Sequence, residues 1–330
     1  MAPNLSQPLY RWQENFVSFK SLEERGYIYC DTNASFVSIH QYLEDGQGQP
    51  SVVANGNVSE GADAGACLAI SYEARSRGIR RGASLIQAKK MIRDLIVYES
   101  CLPLYDIYAQ LYDTILDWIV PKAMCYRASC DEVVIAYEQK RLPYRDFRSM
   151  MQTVLPFVQD KCAIDVQMPM DEALLLHIES LSGAYQVIFG VCYLMRNLLY
   201  QILGLPLSIG VAPSICLSKA LIDQAKPKWI NGQRSYGVQH EAIAFPLCRE
   251  EANACLRKRA LGDICGVKTV AQRMVDQGFR TVGDVQDYCG LDLTIQITQN
   301  KHLGKVLWYS CHGRDEFLPG YLDAIRNRKA

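Results

Sequence analysis

The chain has 330 residues, of which 49% are hydrophobic, which excludes a disordered protein and predicts two or three domains with buried cores. Its 35 basic and 35 acidic residues balance, so a nucleic-acid partner would need a local basic surface rather than bulk positive charge. The 13 cysteines form no C-x-x-C pair and 5 histidines accompany them, which argues against a zinc ribbon or a disulfide framework and predicts reduced thiols.

The first part of the chain predicts strands alternating with helices. Aromatic and β-branched residues at 27–30 predict a buried strand that ends at Asp31. Further on, a stretch rich in Gly, Asn and Ser predicts short strands at 51–54 and 66–70 with a loop between them. Apolar residues then recur three or four positions apart over 104–120, which predicts an amphipathic helix with one face on a sheet.

The second part of the chain continues this mixture of strands and helices. The predicted elements are a strand at 132–137, helices over 145–204, a strand at 207–211, a helix at 214–225, and helices from about residue 246 around a turn at Gly266-Val267-Lys268. Such an alternation predicts an α+β fold, with the last part as a candidate small domain. No apolar run reaches about 18 residues and no signal pattern is visible, so we expect neither a membrane span nor export.

Three carboxylates stand where predicted strands end or begin. Asp31 closes the first strand, and Asp131 and Glu132 open the strand at 132–137. Acids brought together at strand ends repel one another unless cations lie between them, and carboxylate oxygens are the ligands that Mg²⁺ prefers. The pattern therefore predicts Mg²⁺ and phosphate chemistry. The alternative is that the acidic pair forms a solvated turn.

A basic stretch and a separate lysine could bind the phosphates. Tyr72 and Arg75 lie three residues apart on a predicted helix, so they share one face and can bind the same phosphate. Gly78 and Gly82 interrupt the basic run, which favours a shaped loop over the alternative of an ordinary solvated helix face. Lys219 lies on the predicted helix after the strand at 207–211 and can reach a β- or γ-phosphate, although an isolated lysine is more often a surface residue.

Four motifs follow one another along the chain. They are Asp31-Thr32-Asn33-Ala34-Ser35-Phe36; Ser71-Tyr72-Glu73-Ala74-Arg75 with Gly78-Ile79, Gly82 and Ala88-Lys89-Lys90; Ser129-Cys130-Asp131-Glu132; and Ile209-Gly210-Val211 with Ser218-Lys219 and Ala225-Lys226-Pro227. In order and spacing they resemble the motifs of Y-family translesion DNA polymerases. The likeness covers roughly residues 25–315.

The resemblance implies a right-hand polymerase core with a palm, small fingers and a helical thumb. It implies that Asp31, Asp131 and Glu132 bind two Mg²⁺ ions, with Mn²⁺ as the alternative metal, and that Thr32 lends its carbonyl. In this assignment Asp131 and Glu132 are the catalytic pair. Phe36 stands where the family has its steric gate, the ring that crowds a ribose 2′-hydroxyl.

The same resemblance implies contacts to the nucleotide and to DNA. Tyr72, Arg75 and Lys219 match the triphosphate contacts of the family. Backbone amides at a thumb turn bind DNA phosphates without reading bases. The implied DNA-binding residues are Arg80, Arg81, Gly266 and Lys268.

Domain limits follow from the resemblance as well. They are an N-terminal extension at 1–24, a palm at 25–35 and 97–245 with a helical insertion at about 140–180, fingers at 36–96, a thumb with a helix-hairpin-helix-like turn at 246–316, and a tail at 317–330. The little-finger domain of the family is expected to be absent, so the grip on DNA should be weak.

Within the family, two features look most like the deoxycytidyl transferase branch. They are Cys130 before the acidic pair, and the late segments 278–286 and 311–315. This branch implies insertion of dCMP and, in a eukaryote, a nuclear location. The expected partners are primer-template DNA, a deoxynucleoside triphosphate and other translesion or replication factors, with no membrane.

The sequence thus predicts transfer of deoxynucleotides to a primer end opposite damaged template. One alternative is a non-catalytic relative that binds DNA or repair factors as a scaffold. The missing little finger would suit it, as would the thumb turn, where Ile264 stands in place of a glycine of the family. A second alternative is a nucleotide cyclase palm, which leaves the fingers-like insertion at 36–96 unexplained.

Overall fold

The computed structural model describes residues 12–19, 22–55, 65–162, 166–168, 172–230, 233–236, 242–264 and 267–315. The strands are β1 (Arg25–Thr32), β2 (Ser51–Ala54), β3 (Cys67–Ile70), β4 (Ile96–Glu99), β5 (Cys125–Arg127), β6 (Glu132–Glu138), β7 (Leu207–Ala212), β8 (Pro227–Ile230), β9 (Gln233–Tyr236) and β10 (Ile243–Ala244). The helices are α1 (Trp12–Asn15), α2 (Ser35–Leu43), α3 (Tyr72–Ser76), α4 (Leu85–Met91), α5 (Leu102–Asp117), α6 (Phe147–Cys162), α7 (Glu172–Ser180), α8 (Gly183–Leu203), α9 (Ile215–Ala225), α10 (Arg249–Arg257), α11 (Lys268–Asp276), α12 (Val282–Tyr288), α13 (Leu291–Thr298) and α14 (Lys301–Cys311).

A five-stranded sheet of order β10-β7-β1-β6-β5 holds the acidic motifs. The central strand β1 runs antiparallel to both β6 and β7, so its C-terminal end meets the N-terminal end of β6. This register puts Asp31 directly opposite Glu132. The strand does not end at Asp31 as the sequence predicts, because the Thr32 amide still donates to the Asp131 carbonyl at 2.9 Å.

A smaller sheet of order β3-β2-β4 is formed by the chain between β1 and α5. The strand predicted at 51–54 is confirmed as β2, and the one predicted at 66–70 begins at Cys67 because Ala66 forms an isolated bridge to Ser84. This sheet packs with α3 and α4 around its own cluster of buried apolar side chains.

The core helices lie against the five-stranded sheet. The helix predicted at 104–120 is confirmed but begins at Leu102, since Pro103 fits the first turn of a helix, where its missing N–H is not needed. Two helices, α6 and α7, occupy the region of the expected insertion, and α6 packs closely on α8. A Cβ atom on Gly190 of α8 would lie 2.6 Å from the Phe147 ring of α6, so glycine favours this close approach.

Helix α8 is long and apolar enough to be compared with a membrane span. By length and mean hydropathy it could cross a membrane, although no such segment is predicted. However, 72% of its most apolar window is buried inside the protein, which is the position of a core helix. Its buried side chains include Phe189, Leu194 and Leu198.

Helices α10 to α14 form a second apolar core together with α9. Lys268 is the first residue of α11 and is exposed. Cys265 and Gly266 lie outside the described residues, so the turn expected at 266–268 is described only from Val267 onward. The mixed sheets and helices agree with the expected α+β class, while the exact domain limits stay a prediction.

Candidate active site

A cleft of about 410 Å³ opens at the edge where β1 meets β6. Its walls come from β1, the first turn of α2, α3 and the loop before β6. The residues singled out from the sequence that line it are Asp31, Thr32, Phe36, Tyr72, Arg75, Arg81, Asp131 and Glu132. The structure therefore brings together residues that lie as far as a hundred positions apart in the chain.

Each carboxylate in the cleft is bound to a neighbouring side chain. Lys226 donates to Asp31 Oδ2 at 3.1 Å. Lys219 donates to both oxygens of Glu132 at 2.9 and 3.1 Å, and the Tyr29 hydroxyl donates to Glu132 Oε2 at 3.0 Å. The Asp131 carboxylate accepts from the Ser129 hydroxyl at 2.5 Å.

The position of Asp31 raises the pKa of its carboxyl group. Burial is the largest cause, because the side chain is only 17% exposed and loses hydration of its charged form. The Lys226 ammonium opposes this shift, and the carboxylates of Glu132 and Asp131 add to it. Like charges directly opposite on neighbouring strands are destabilising, so Lys219 and Lys226 compensate the pairing of Asp31 with Glu132.

Sequence reasoning gave the phosphate-binding role to Lys219 and none to Lys226. In the structure Lys226 lines the cleft, whereas Lys219 is not among its lining residues and forms an ion pair with Glu132. The spacing of seven between these lysines puts them two helical turns apart on one face of α9 and its C-cap. That spacing was a signal that both could reach the Asp31–Glu132 pair.

Tyr72 and Arg75 share one face of α3, as predicted. Helix α3 begins after Ser71, whose hydroxyl accepts from the Ala74 amide at 3.1 Å. The Arg75 guanidinium carbon lies 5.2 Å from the centre of the Tyr72 ring. The Tyr72 hydroxyl donates to Asn33 Oδ1 at 3.2 Å, which ties α3 to the end of β1.

The expected DNA-binding arginines occupy different positions. Arg81 is exposed and lines the cleft. The Arg80 guanidinium donates to the carbonyls of Arg75 and Ile79, both at 3.2 Å, so it closes the turn after α3. Lys268 lies on the helical part that packs with α9, not in the cleft.

Phe36 enters the cleft from the first turn of α2. The residue before the helix, Ala34, adopts the left-handed conformation with φ 51° and ψ 40°, which is uncommon for a residue with a side chain. This turn reverses the chain directly after β1. The Phe36 ring lines the cleft on one side and stacks on Tyr105 behind it.

Sequence reasoning missed Arg127, which fixes the loop before Asp131. Its Nε and Nη2 atoms donate to Asp113 Oδ1 at 2.9 and 2.6 Å. Its Nη1 atom donates to the carbonyls of Ser129 and Cys130 at 3.3 and 2.9 Å. These partners lie on α5 and in the loop, and no local pattern in the sequence connects them.

The donor chemistry of the cleft fits a hard divalent cation such as Mg²⁺, because its anionic side chains offer only carboxylate oxygens. The buried Thr32 hydroxyl in the same wall has no hydrogen-bond partner. Across the part of the chain that the structure describes, no three His, Cys, Asp or Glu side chains are grouped to hold one ion. The ligand set of Asp31, Thr32, Asp131 and Glu132 therefore stays a prediction.

Comparison with known protein families gives a match that covers more than half of the chain. The model of the IMS family, described as the impB/mucB/samB family, matches residues 30–223. Among curated proteins, DNA polymerase IV of Glaesserella parasuis serovar 5 (strain SH0165) is 28% identical over 267 residues, or 81% of this chain. The chain spans 57% of the length of that relative.

Solved structures share the fold. The Y-family DNA polymerase chimera Dbh-Dpo4(243-245)-Dbh has a TM-score of 0.59 and 17% identity, covering 88% of this chain and 67% of its own. DinB from Sulfolobus solfataricus has a TM-score of 0.53 and 18% identity, covering 87% of this chain and 67% of its own. At these identities the likeness concerns the fold alone.

Proposed function

The chain belongs to the impB/mucB/samB family of Y-family polymerases, and we propose that it transfers deoxynucleotides to a primer 3′-hydroxyl during translesion DNA synthesis. The resemblance stated from the sequence is confirmed, as is an α+β polymerase core with palm, fingers and thumb. Because the chain spans 57% of the Glaesserella relative, the activity itself is a proposal.

One observation carries the proposal: acidic and basic side chains line the same cleft. Asp31, Asp131 and Glu132 supply oxygen donors on one wall, and Arg75 and Arg81 supply cations on another. A nucleoside triphosphate needs both, since its phosphates pair with guanidinium groups and its reacting phosphate needs charge stabilisation.

The side chains of the cleft suggest separate roles. Arg75, with Tyr72, is placed to bind a phosphate, and Lys226 is the lysine of the cleft wall that can reach one. Asp31, Asp131, Glu132 and the Thr32 carbonyl would hold Mg²⁺, which supplies Lewis-acid stabilisation of phosphate charge when bound. Phe36 would exclude a ribose 2′-hydroxyl by contact.

Finer features of the function rest on the resemblance. We propose primer-template DNA and deoxynucleoside triphosphates as partners, in line with a structural neighbour that is an insertion ternary complex of Dbh DNA polymerase. Restriction to dCMP, Mg²⁺ as the metal and contacts with other replication factors remain proposals. The curated relative named above, from Glaesserella parasuis, is bacterial, so it gives no support to the nuclear location of the deoxycytidyl transferase branch.

Primer extension tests the proposal. We expect the chain to extend a primer in the presence of Mg²⁺, and we expect Asp131→Asn to slow single-nucleotide incorporation by roughly a hundredfold or more. Asp94→Asn is the matched control, because Asp94 is an exposed acid that pairs with Arg77 outside the cleft. Equal rates for wild type and Asp131→Asn would contradict the proposal.

A scaffold without catalysis gives a different pattern. It would bind primer-template DNA but incorporate none of the four deoxynucleotides opposite any template base. The same assay also tests the branch, since preferential dCMP insertion opposite every template base indicates templating by the protein.

A further inference from the structure

Phe36 is supported from behind by a second aromatic ring. Its ring stacks on Tyr105 of α5 with the centroids 4.0 Å apart and the planes 11° from parallel. Tyr105 is 3% exposed and does not line the cleft, whereas Phe36 does. One face of the Phe36 ring is thus covered, so the ring cannot swing back from the cleft without losing a stacked pair.

Tyr105 is fixed in turn by His40. A hydrogen bond of 3.1 Å joins the Tyr105 hydroxyl and His40 Nε2, and the two rings meet edge to face at 5.9 Å. His40 also stacks on Tyr98 of β4, with the centroids 4.8 Å apart and the planes 11° from parallel. The four aromatic rings therefore form a continuous packed set from β4 to the cleft.

The spacing on α2 explains why these contacts occur together. Phe36 and His40 are four residues apart, so they project from the same face of the helix. That face is turned toward Tyr105. The Phe36 ring stacks on the Tyr105 ring, and His40 is hydrogen-bonded to the Tyr105 hydroxyl. Tyr105 therefore links two points of α2 to α5 and restrains both rotation of the helix and rotation of the Phe36 ring.

We propose that Tyr105, fixed by its hydrogen bond to His40, is a positioning residue that holds Phe36 in the cleft and so sets the preference for deoxyribonucleotides over ribonucleotides. This inference rests on the proposed function, because it concerns the sugar of the nucleotide that enters the cleft. Tyr105 and His40 do not line the cleft, so they act only through the position of Phe36.

The test compares dCTP with CTP. For each variant, kcat/KM is measured for both nucleotides in single-nucleotide primer extension, and their dissociation constants are measured by isothermal titration calorimetry without turnover. Tyr105→Ala removes the stacked ring, and we expect the preference for dCTP to fall roughly tenfold, which is about 1.4 kcal/mol. The loss should appear mainly as a lower KM for CTP, while kcat for dCTP changes little.

Two milder changes separate the ring from the hydroxyl. Tyr105→Phe keeps the stack and His40→Leu removes the histidine partner of the hydroxyl, and we expect each to lower the preference about two- to threefold. His40→Gln keeps a hydrogen-bonding group and should restore most of the preference. If Tyr105→Ala fails to fold, Tyr105→Phe and His40→Leu still test the proposal. Tyr144→Phe is the matched control, since it deletes a buried hydroxyl, bonded to the Ile119 carbonyl at 2.8 Å, away from Phe36.

A double-mutant cycle decides the mechanism. In a Phe36→Ala background, Tyr105→Phe and Tyr105→Ala should leave the residual preference unchanged, because the side chain through which they act is gone. Additive effects, an equal loss in Tyr144→Phe, or a wild-type preference in folded Tyr105→Ala would overturn the proposal. If wild type incorporates no nucleotide, the proposed function fails, and the ratio of the two dissociation constants still tests the role of Tyr105.

Discussion

Replacing Arg127 with Met should destabilise the protein by a predictable amount. The Arg127 side chain is 7% exposed and carries four hydrogen bonds to Asp113 and to two carbonyls of the loop before β6. Its guanidinium also lies 4.8 Å from the centre of the Tyr112 ring. Methionine fills a similar volume but donates no hydrogen bond, so the carboxylate and both carbonyls lose their partner.

The magnitude follows from these contacts. A hydrogen bond to a charged group contributes about 1.5–3 kcal/mol, and breaking a buried ion pair costs about 3–5 kcal/mol. The Asp113 side chain is 39% exposed, so water replaces part of what Arg127 supplies. We therefore expect Arg127→Met to lower the free energy of unfolding by about 2–3 kcal/mol.

Urea unfolding monitored by circular dichroism measures this loss, and Arg77→Met is the matched control. Arg77 pairs with Asp94 at 3.0 Å, but the two side chains are 49% and 64% exposed. Removal of an exposed pair should cost less than about 1 kcal/mol. Equal losses for the two variants would refute the reasoning, because burial of the guanidinium would then contribute nothing.

Two further predictions concern the packing around α9 and α14. Burial lowers the pKa of His312 to about 4, so the unfolded chain takes up a proton near pH 6.5 that the folded protein rejects. Stability should therefore fall by about 2 kcal/mol from pH 7 to pH 5, a loss measured by urea unfolding that His312→Gln should abolish. In Gly210→Ala, the new Cβ would lie 2.1 Å from the Ser218 carbonyl oxygen. Gly210→Ala should lower the free energy of unfolding by about 3 kcal/mol and so lower the melting temperature. Gly183→Ala is the control and should not lower the melting temperature, because a Cβ atom there would meet open space.

The sequence predicts those parts of the site that depend on local geometry. Tyr72 and Arg75 share a face because three residues span nearly one helical turn, and that spacing can be read directly. The strands at 51–54 and 132–137 and the helix after Pro103 are likewise local patterns. Element ends shift where a hydrogen bond from another segment extends a strand, as at Thr32.

The parts that could not be predicted depend on register and on packing between distant segments. Lys219 pairs with Glu132 because α9 lies along the sheet, and nothing local to either residue states that. Arg127 likewise binds a carbonyl of the loop before β6, and Tyr105 of α5 stacks on Phe36 of α2. The spacing of seven between Lys219 and Lys226 indicates that both lie on one face of the chain. Only the register of β1 with β6, which pairs Asp31 with Glu132, shows which acids the two lysines reach.

The charges of the cleft constrain how the proposed triphosphate could bind. Three carboxylates, from Asp31, Asp131 and Glu132, face three cations, from Arg75, Arg81 and Lys226. Lys219, which is not among the lining residues, adds a fourth cation by pairing with Glu132, and Lys226 pairs with Asp31. A triphosphate entering alone would compete with Asp31 for Lys226 and leave that buried carboxylate unpaired, which is costly. If these carboxylates held a divalent cation, its charge would take the place of the Lys226 charge beside Asp31, and Lys226 would then be available to bind a phosphate.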